Sequence, residues 1–245
     1  ALDRIEGEIP KAIRDDIEFL WANVYLAEER SEDSLEVLKN LINSESYGGF
    51  AAYNLGIAYL QGGRRAEALE QLEKAGLIET ADPGELAIRD KANLVLGTVL
   101  LEEGGYDQAV PFFNRVRLDG PFSNQALLSA GWASLSAENY DRAIVPWSIL
   151  AKREVTDRST QEALLALPYA YGKLEIPGRA PQHHGEALAA STLENDRRTE
   201  SMDSTREGSF LEALIREEIR KDQDWVIRLR SLPEAPETYY LMELM

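Results

Sequence analysis

The sequence predicts an all-α protein built by stacking about five helix–turn–helix units, closed by a helical cap at its C-terminal end. Three observations carry that expectation. One pattern of small and bulky residues recurs along the chain, its copies begin 34 residues apart or slightly more, and apolar residues keep a helical period throughout. The composition agrees: of 245 residues, 44% are hydrophobic and 28% charged, which suits a folded chain with a sizeable core. No apolar run approaches the ~18 residues a membrane-spanning helix needs.

Two copies are clearest. Leu55-Gly56-Ile57-Ala58-Tyr59 is followed by Gly62-Gly63 and then by Ala68, Leu72 and Ala75. Leu96-Gly97-Thr98-Val99-Leu100 is followed by Gly104-Gly105, then Ala109, Phe113 and Val116, and closes at Pro121. The pattern resembles the tetratricopeptide repeat (TPR), a 34-residue helix–turn–helix unit, in the form found in bacterial multi-repeat scaffolds. The resemblance implies a right-handed α-solenoid. It places repeat starts at Asp15, Gly49, Asp90, Asn124 and Gln161. The small residue of the first helix is then Ala22, Gly56, Gly97 and Gly131, and that of the second is Ser34, Ala68, Ala109, Ala143 and Ala180. Two antiparallel helices pack closely only where small residues meet at the crossing. The bulky position of the second helix reads Leu38, Leu72, Phe113, Trp147 and His184. The fifth copy departs from the pattern, with Pro168 in a small position and His184 in a bulky one.

The elements follow in order. Residues 1–14 read as the end of a preceding unit, because Leu2, Ile5 and Ile9 lead into Pro10. With Ala1 in place of Met, the expectation is a processed or trimmed chain whose array continues upstream. Residues 15–194 hold the five repeats. The step from Gly49 to Asp90 is 41, seven residues too long, which adds about two helical turns without rotating the buried face. Asp82 can cap, Pro83 suits the first turn and Glu85 completes a capping-box-like arrangement, so the third repeat's first helix is expected to start near Pro83. The step from Asn124 to Gln161 is 37, read as a loop over residues 155–158, with Ser159 and Glu162 boxing the next helix. Pro168 predicts a kink or break near residues 164–168. Residues 195–245 form the C-terminal helical cap, with amphipathic stretches at Phe210–Ile219, Trp225–Leu232 and Tyr239–Met245.

The same sequence removes most chemistry. Lys and Arg total 26 against 43 Asp and Glu, a net charge of −17 that a nucleic-acid backbone repels. Cysteine is absent, and the two histidines, His183 and His184, are adjacent, which points them to different faces of a helix. No phosphate loop, nucleophile elbow, zinc helix motif or EF-hand loop occurs. Gly62-Gly63-Arg64-Arg65 reads as a turn between helices, and Glu28-Glu29 and Glu102-Glu103 as solvated helix ends. The expectation is no catalytic residue, no metal and no cofactor.

The resemblance implies a groove lined by the first helix of each repeat. It maps to Phe50, Tyr53 and Asn54, to Lys91, Leu94 and Thr98, to Gln125, Leu128 and Trp132, and to Tyr169 and Lys173. This apolar lining suits an amphipathic helix or extended peptide, and the chain's own C-terminal helices are the alternative filling. Trp132 is expected in the groove and Trp147 in the packed interior. The implied function is a protein–protein scaffold or adaptor for a protein or peptide partner, without nucleic acid or membrane insertion. By analogy it serves bacterial envelope assembly in a periplasmic or otherwise extracytoplasmic compartment, with the cytoplasm as the alternative. A regulatory sensor module binding a signalling peptide is the second reading.

Overall fold

The computed structural model describes residues 11–44, 46–175 and scattered positions between 185 and 203. Nine helices have described bounds: α1 (Lys11–Ala27), α2 (Ser31–Leu41), α3 (Gly48–Gln61), α4 (Arg65–Gly76), α5 (Pro83–Glu102), α6 (Tyr106–Phe113), α7 (Ser123–Ser136), α8 (Tyr140–Leu150) and α9 (Arg158–Lys173). No strand occurs among the described residues. The chain divides into two compact units, residues 1–137 and 138–245. Residues 1–10, the C-terminal cap beyond 203 and His183-His184 lie outside the described residues.

In the first unit each helix packs on the next, from α1 through α7. First helices also touch one another, α1 with α3, α3 with α5 and α5 with α7. Helices α2, α4 and α6 make no comparable mutual contacts, so the first helices form the tighter, inner side of this unit. The core is correspondingly a series of layers, as in a helical solenoid. Ala22, Leu35, Leu38 and Leu41 of the first pair pack with Ala51, Leu55, Ala58 and Ala68 of the second. Tyr53, Leu72 and Ala75 then meet Ala92 and Leu96 of α5. Leu94, Ala109 and Phe113 in turn meet Ala126, Ala130 and Ala133 of α7.

The crossings inside each pair depend on small residues. Ser34 donates its hydroxyl to the Ala22 carbonyl at 3.1 Å inside the first pair. A Cβ on Gly56 would lie 2.5 Å from Leu72 Cγ, and one on Gly97 would lie 2.5 Å from Phe113 Cε1. Both glycines are therefore steric requirements.

The turns share one geometry. Glu29, Gly63, Gly104, Glu138 and Glu175 all have left-handed φ, between 53° and 81°. In the first three, the left-handed residue donates its N–H to the carbonyl three back: Glu29 to Leu26, Gly63 to Leu60 and Gly104 to Leu101. The following residue donates to the carbonyl five back, Arg30 to Tyr25, Arg64 to Tyr59 and Gly105 to Leu100, each at 2.8 Å. This is the Schellman motif, and it satisfies carbonyls the helix end would orphan. Arg30 and Arg64 also stack their guanidinium groups on the Tyr25 and Tyr59 rings, at 4.4 and 4.6 Å. Gly62 to Arg64 thus form a turn, and Arg65, which the sequence reading counted with them, opens α4.

Helix α5 starts at Pro83 and spans 20 residues against 14 for α3 and for α7. Asp82 caps it by accepting from the Glu85 N–H at 2.9 Å. Its interior carries buried polar contacts. Fully buried Asp90 accepts from Arg117 Nε at 2.7 Å, and fully buried Asn93 donates to the Gly76 and Arg89 carbonyls at 2.8 and 2.9 Å. These bonds tie α5 to the end of α4 and to the segment after α6.

In the second unit α8 packs on α9. Trp147 and Leu150 of α8 and Ala163, Leu167 and Ala170 of α9 are fully buried. Two expectations need correction here. The cap of α9 is Asp157, which accepts from the Ser159 and Thr160 N–H groups at 2.8 and 3.2 Å, so Ser159 lies inside the helix and does not open it. Of the kink or break expected near residues 164–168, the break does not occur. The helix runs unbroken through the buried Pro168, and packing against α8 offsets the lost backbone bond.

Candidate functional site

The inner side of the first unit is where the first helices α1, α3, α5 and α7 meet. Lys91 of α5 organises its middle. Its ammonium sits 5.3 Å from the Tyr53 ring centre on α3 and 6.0 Å from that of Phe122, the residue preceding α7. One cation therefore joins three successive helix pairs through aromatic faces. Toward α1, Asn54 donates to Asn23 Oδ1 at 2.9 Å, and Gln61 donates to the Leu26 carbonyl at 3.3 Å. Phe19 stacks on Tyr47 at 4.7 Å and meets Phe50 edge-on at 5.9 Å. The Tyr47 hydroxyl donates to Asp16 at 2.8 Å, and that bond is the leading cause of its raised pKa.

The expected lining separates by depth. Phe50, Lys91, Thr98, Leu128 and Trp132 are half-buried and Gln125 is exposed, so these offer surface. Tyr53, Asn54 and Leu94 are a correction. They are 7%, 9% and 5% exposed and belong to the packing between first helices. The physical reason is the direct approach of α3 to α5 and to α1, which closes over side chains that the repeat register alone assigns to the inner face. Burial pushes the Tyr53 phenol up to about 12. Thr98 spends its hydroxyl on the Leu94 carbonyl of its own helix at 2.9 Å. The sequence reading left out the first repeat's share of this side, Phe19 and Asn23. Asn23 falls on the inner face of α1 by the same register that assigned Asn54 to α3, so the signal was available.

In the second unit Tyr169 and Lys173 of α9 lie one turn apart, Tyr169 54% exposed with the Lys173 ammonium 5.5 Å from its ring centre. Leu165, 68% exposed, extends that row by another turn.

Among the described residues no three His, Asp or Glu side chains gather where they could hold a metal ion. A cleft of about 260 Å³ opens at the turn lined by Gly104, Gly105, Tyr106, Asp107, Gln108 and Ala137. No described helix is long and apolar enough to cross a membrane.

Layered helix pairs, small residues at each crossing and an inner side lined by aromatic and aliphatic residues define a helical-repeat interaction scaffold. Residues 19–85 and 94–147 match the tetratricopeptide repeat family, and the chain is a tetratricopeptide-repeat protein. Proteins of this family bind protein or peptide partners, and their fold is a non-catalytic scaffold. Solved structures share the fold. MamA from Desulfovibrio magneticus RS-1, residue 41 to the end, is 18% identical over 74% of this chain and 96% of that one, with a TM-score of 0.52. MamA AMB-1 is 20% identical over 73% and 92%, with a TM-score of 0.53. The nearly identical TPR-like repeats of a Podosopora anserina kinesin light chain are 15% identical over 77% and 100%, with a TM-score of 0.51. No curated protein matches the chain significantly.

Proposed function

We propose that the inner side of the first unit binds an amphipathic helix or extended peptide of a partner protein, making the chain an adaptor. The observation that supports this is the partly exposed apolar lining of α3, α5 and α7, with Phe50, Leu128 and Trp132 at its centre, on a chain of net charge −17. Apolar surface held open by packed helices on so charged a protein is the usual form of a binding groove. Trp132 is the anchor, since half-buried tryptophan in a groove is a typical energetic hot spot. The test is affinity capture with the natural full-length protein, comparing it with Trp132→Ala. Truncation should weaken recovery of the main partner by roughly tenfold or more, the loss expected of a hot spot worth ~2 kcal/mol. It should leave the melting temperature nearly unchanged. Trp147→Ala, which empties a fully buried site, should instead cost ~3–5 kcal/mol of stability. Undiminished capture by Trp132→Ala would refute the groove reading.

The compartment belongs to the same reading. By fold-level analogy with bacterial multi-repeat scaffolds, the proposed setting is extracytoplasmic, where the adaptor serves assembly of the cell envelope. Fractionation of cells making the natural protein tests it, and recovery in the cytoplasmic fraction would overturn it.

A further inference from the structure

Asp119-Gly120 is the only place in the 245 residues where Asp or Asn precedes Gly. That dipeptide carries its own reagents. The backbone nitrogen after an aspartate can attack the side-chain carboxyl carbon, and only glycine leaves that nitrogen unshielded by a Cβ.

The setting favours the reaction. Asp119 lies in the connection between α6 and α7 and is exposed, so water reaches its carboxyl group. Among the described residues no hydrogen bond or ion pair holds that carboxylate. Asp33, which precedes Ser34, shows the opposite case. Arg30 holds its carboxylate at 2.7 Å, and the Ser34 N–H is bonded at the start of α2. The Gly120 N–H donates to the Arg117 carbonyl at 3.2 Å, but a lone turn bond contributes little net free energy and opens readily. The fold also fixes the glycine. A Cβ on Gly120 would lie 2.6 Å from Asp90 Oδ2 and 3.4 Å from Arg117 Nη2. Buried Asp90 therefore requires glycine at 120, and that glycine makes its neighbour reactive.

We propose that Asp119 is a site of spontaneous isoaspartate formation, and that the product loosens the tie between Asp90 and Arg117. In the first step the Gly120 nitrogen bonds to Asp119 Cγ, and the N–H proton leaves with the carboxyl OH as water. In the second, water opens one of the C–N bonds of the cyclic imide. Opening at Cγ restores aspartate. Opening at the main-chain carbonyl carbon leaves the chain running through Cβ and Cγ. No other reagent is consumed, and the mass is unchanged. The connection thereby gains a backbone carbon between Arg117, whose Nε is 2.7 Å from Asp90, and Phe122, which faces Lys91. The former main-chain carboxyl becomes a free carboxylate. It suits a methyltransferase that moves the sulfonium methyl of S-adenosylmethionine onto a carboxylate oxygen and releases the neutral thioether.

The experiment stores the full chain for several weeks at neutral pH, in parallel with Asp119→Glu, whose longer side chain closes the imide far more slowly. Tryptic peptides are fragmented by electron transfer, which breaks the extra Cα–Cβ bond of an isoaspartyl residue. The parent peptide Leu118–Arg142 should split into separable forms of equal mass, with the new linkage at residue 119. A purified isoaspartyl methyltransferase should methylate the stored parent, and stored Asp119→Glu should lose most of that signal. Hydrogen exchange at residues 90–93 and 117–120 should be several-fold faster in the aged fraction than in fresh protein. Asp119 is exposed, so fresh Asp119→Glu should melt with the parent, and the parent's own peptide map decides the matter if it does not. Isoaspartate in the urea-unfolded chain but not in the folded one would overturn the proposal, because the turn then protects the bond. Equal methylation of parent and Asp119→Glu would overturn it too, and unchanged exchange around Asp90 in the aged fraction would overturn the link to the buried pair.

Discussion

Adding one methyl group at Gly97 tests the close crossing of α5 and α6 directly. A Cβ there would sit 2.5, 2.7 and 2.8 Å from three atoms of the Phe113 ring, well inside ordinary contact. The ring must retreat by ~1 Å to restore van der Waals spacing. It has little room, because Phe113 is 3% exposed and shares a cluster with Leu94, Val116, Ala126 and Ala130. Overpacking of this kind costs ~1–3 kcal/mol. Against it stands the gain of ~1 kcal/mol from replacing glycine by alanine inside a helix. Gly97→Ala should therefore destabilise by up to ~2 kcal/mol, and Gly97→Leu by more. Gly172 of α9 supplies the control, since nothing lies within 4 Å of a Cβ built on it. Gly172→Ala should keep the favourable helix term and stabilise slightly.

Urea unfolding followed by circular dichroism measures both, and a double-mutant cycle isolates the cause. Phe113→Leu removes the ring atoms that clash, so Gly97→Ala should be neutral or stabilising in that background. The coupling between the two sites should be ~1–2 kcal/mol. If Gly97→Ala stabilises the parent as much as Gly172→Ala does, with no coupling to position 113, the steric argument is refuted.

Other outcomes follow from single contacts. The Tyr53 phenol titrates near 10 when unfolded and at about 12 in the fold, so its contribution is complete below pH 10 and is lost as pH rises toward 12. Tyr53→Phe should remove that loss, ~2–3 kcal/mol, and shift alkaline unfolding to higher pH; an unchanged alkaline midpoint would contradict it. Arg117→Ala strips the 2.7 Å guanidinium bond from fully buried Asp90 and should cost ~3–5 kcal/mol, whereas a change under ~1 kcal/mol in urea would mean the carboxylate does not depend on it. Glu138 holds φ of 60° at a position where Gly63 and Gly104 stand in other turns, so Glu138→Gly should raise stability by ~0.5–1 kcal/mol in a thermal melt, and a loss would show that its side chain matters more than its backbone.

The sequence was most legible where one residue type has one physical use. Asp82-Pro83 fixed the start of α5, because a capping carboxylate followed by a residue with no N–H suits a helix N-terminus, and the glycine pairs at 62–63 and 104–105 marked turns, because each pair supplies the left-handed residue, Gly63 or Gly104. It was less legible where two residues could do the same job. Asp157 and Ser159 are both good caps, and the Ser159–Glu162 spacing favoured the wrong one. Asp157 prevails by reaching two orphan N–H groups at once. Depth was the other gap. Repeat register gives the face on which Tyr53, Asn54 and Leu94 lie, but how far neighbouring first helices close over them is a tertiary quantity. The partnership of Asp90 with Arg117, 27 residues apart, has no sequence signature at all.

The crossing points and the groove are mechanically linked. Leu94 and Phe113 share one buried cluster, and Lys91, which joins Tyr53 to Phe122, lies one turn before Leu94 on α5. Asp90 and Asn93 lock that same turn to the end of α4 and to Arg117. The side chains that line the inner side are thus set by buried contacts directly behind them, not by a distant core. In a layered protein each layer is held mainly by its neighbours, so a change behind α5 acts first on the lining of α5 and α7.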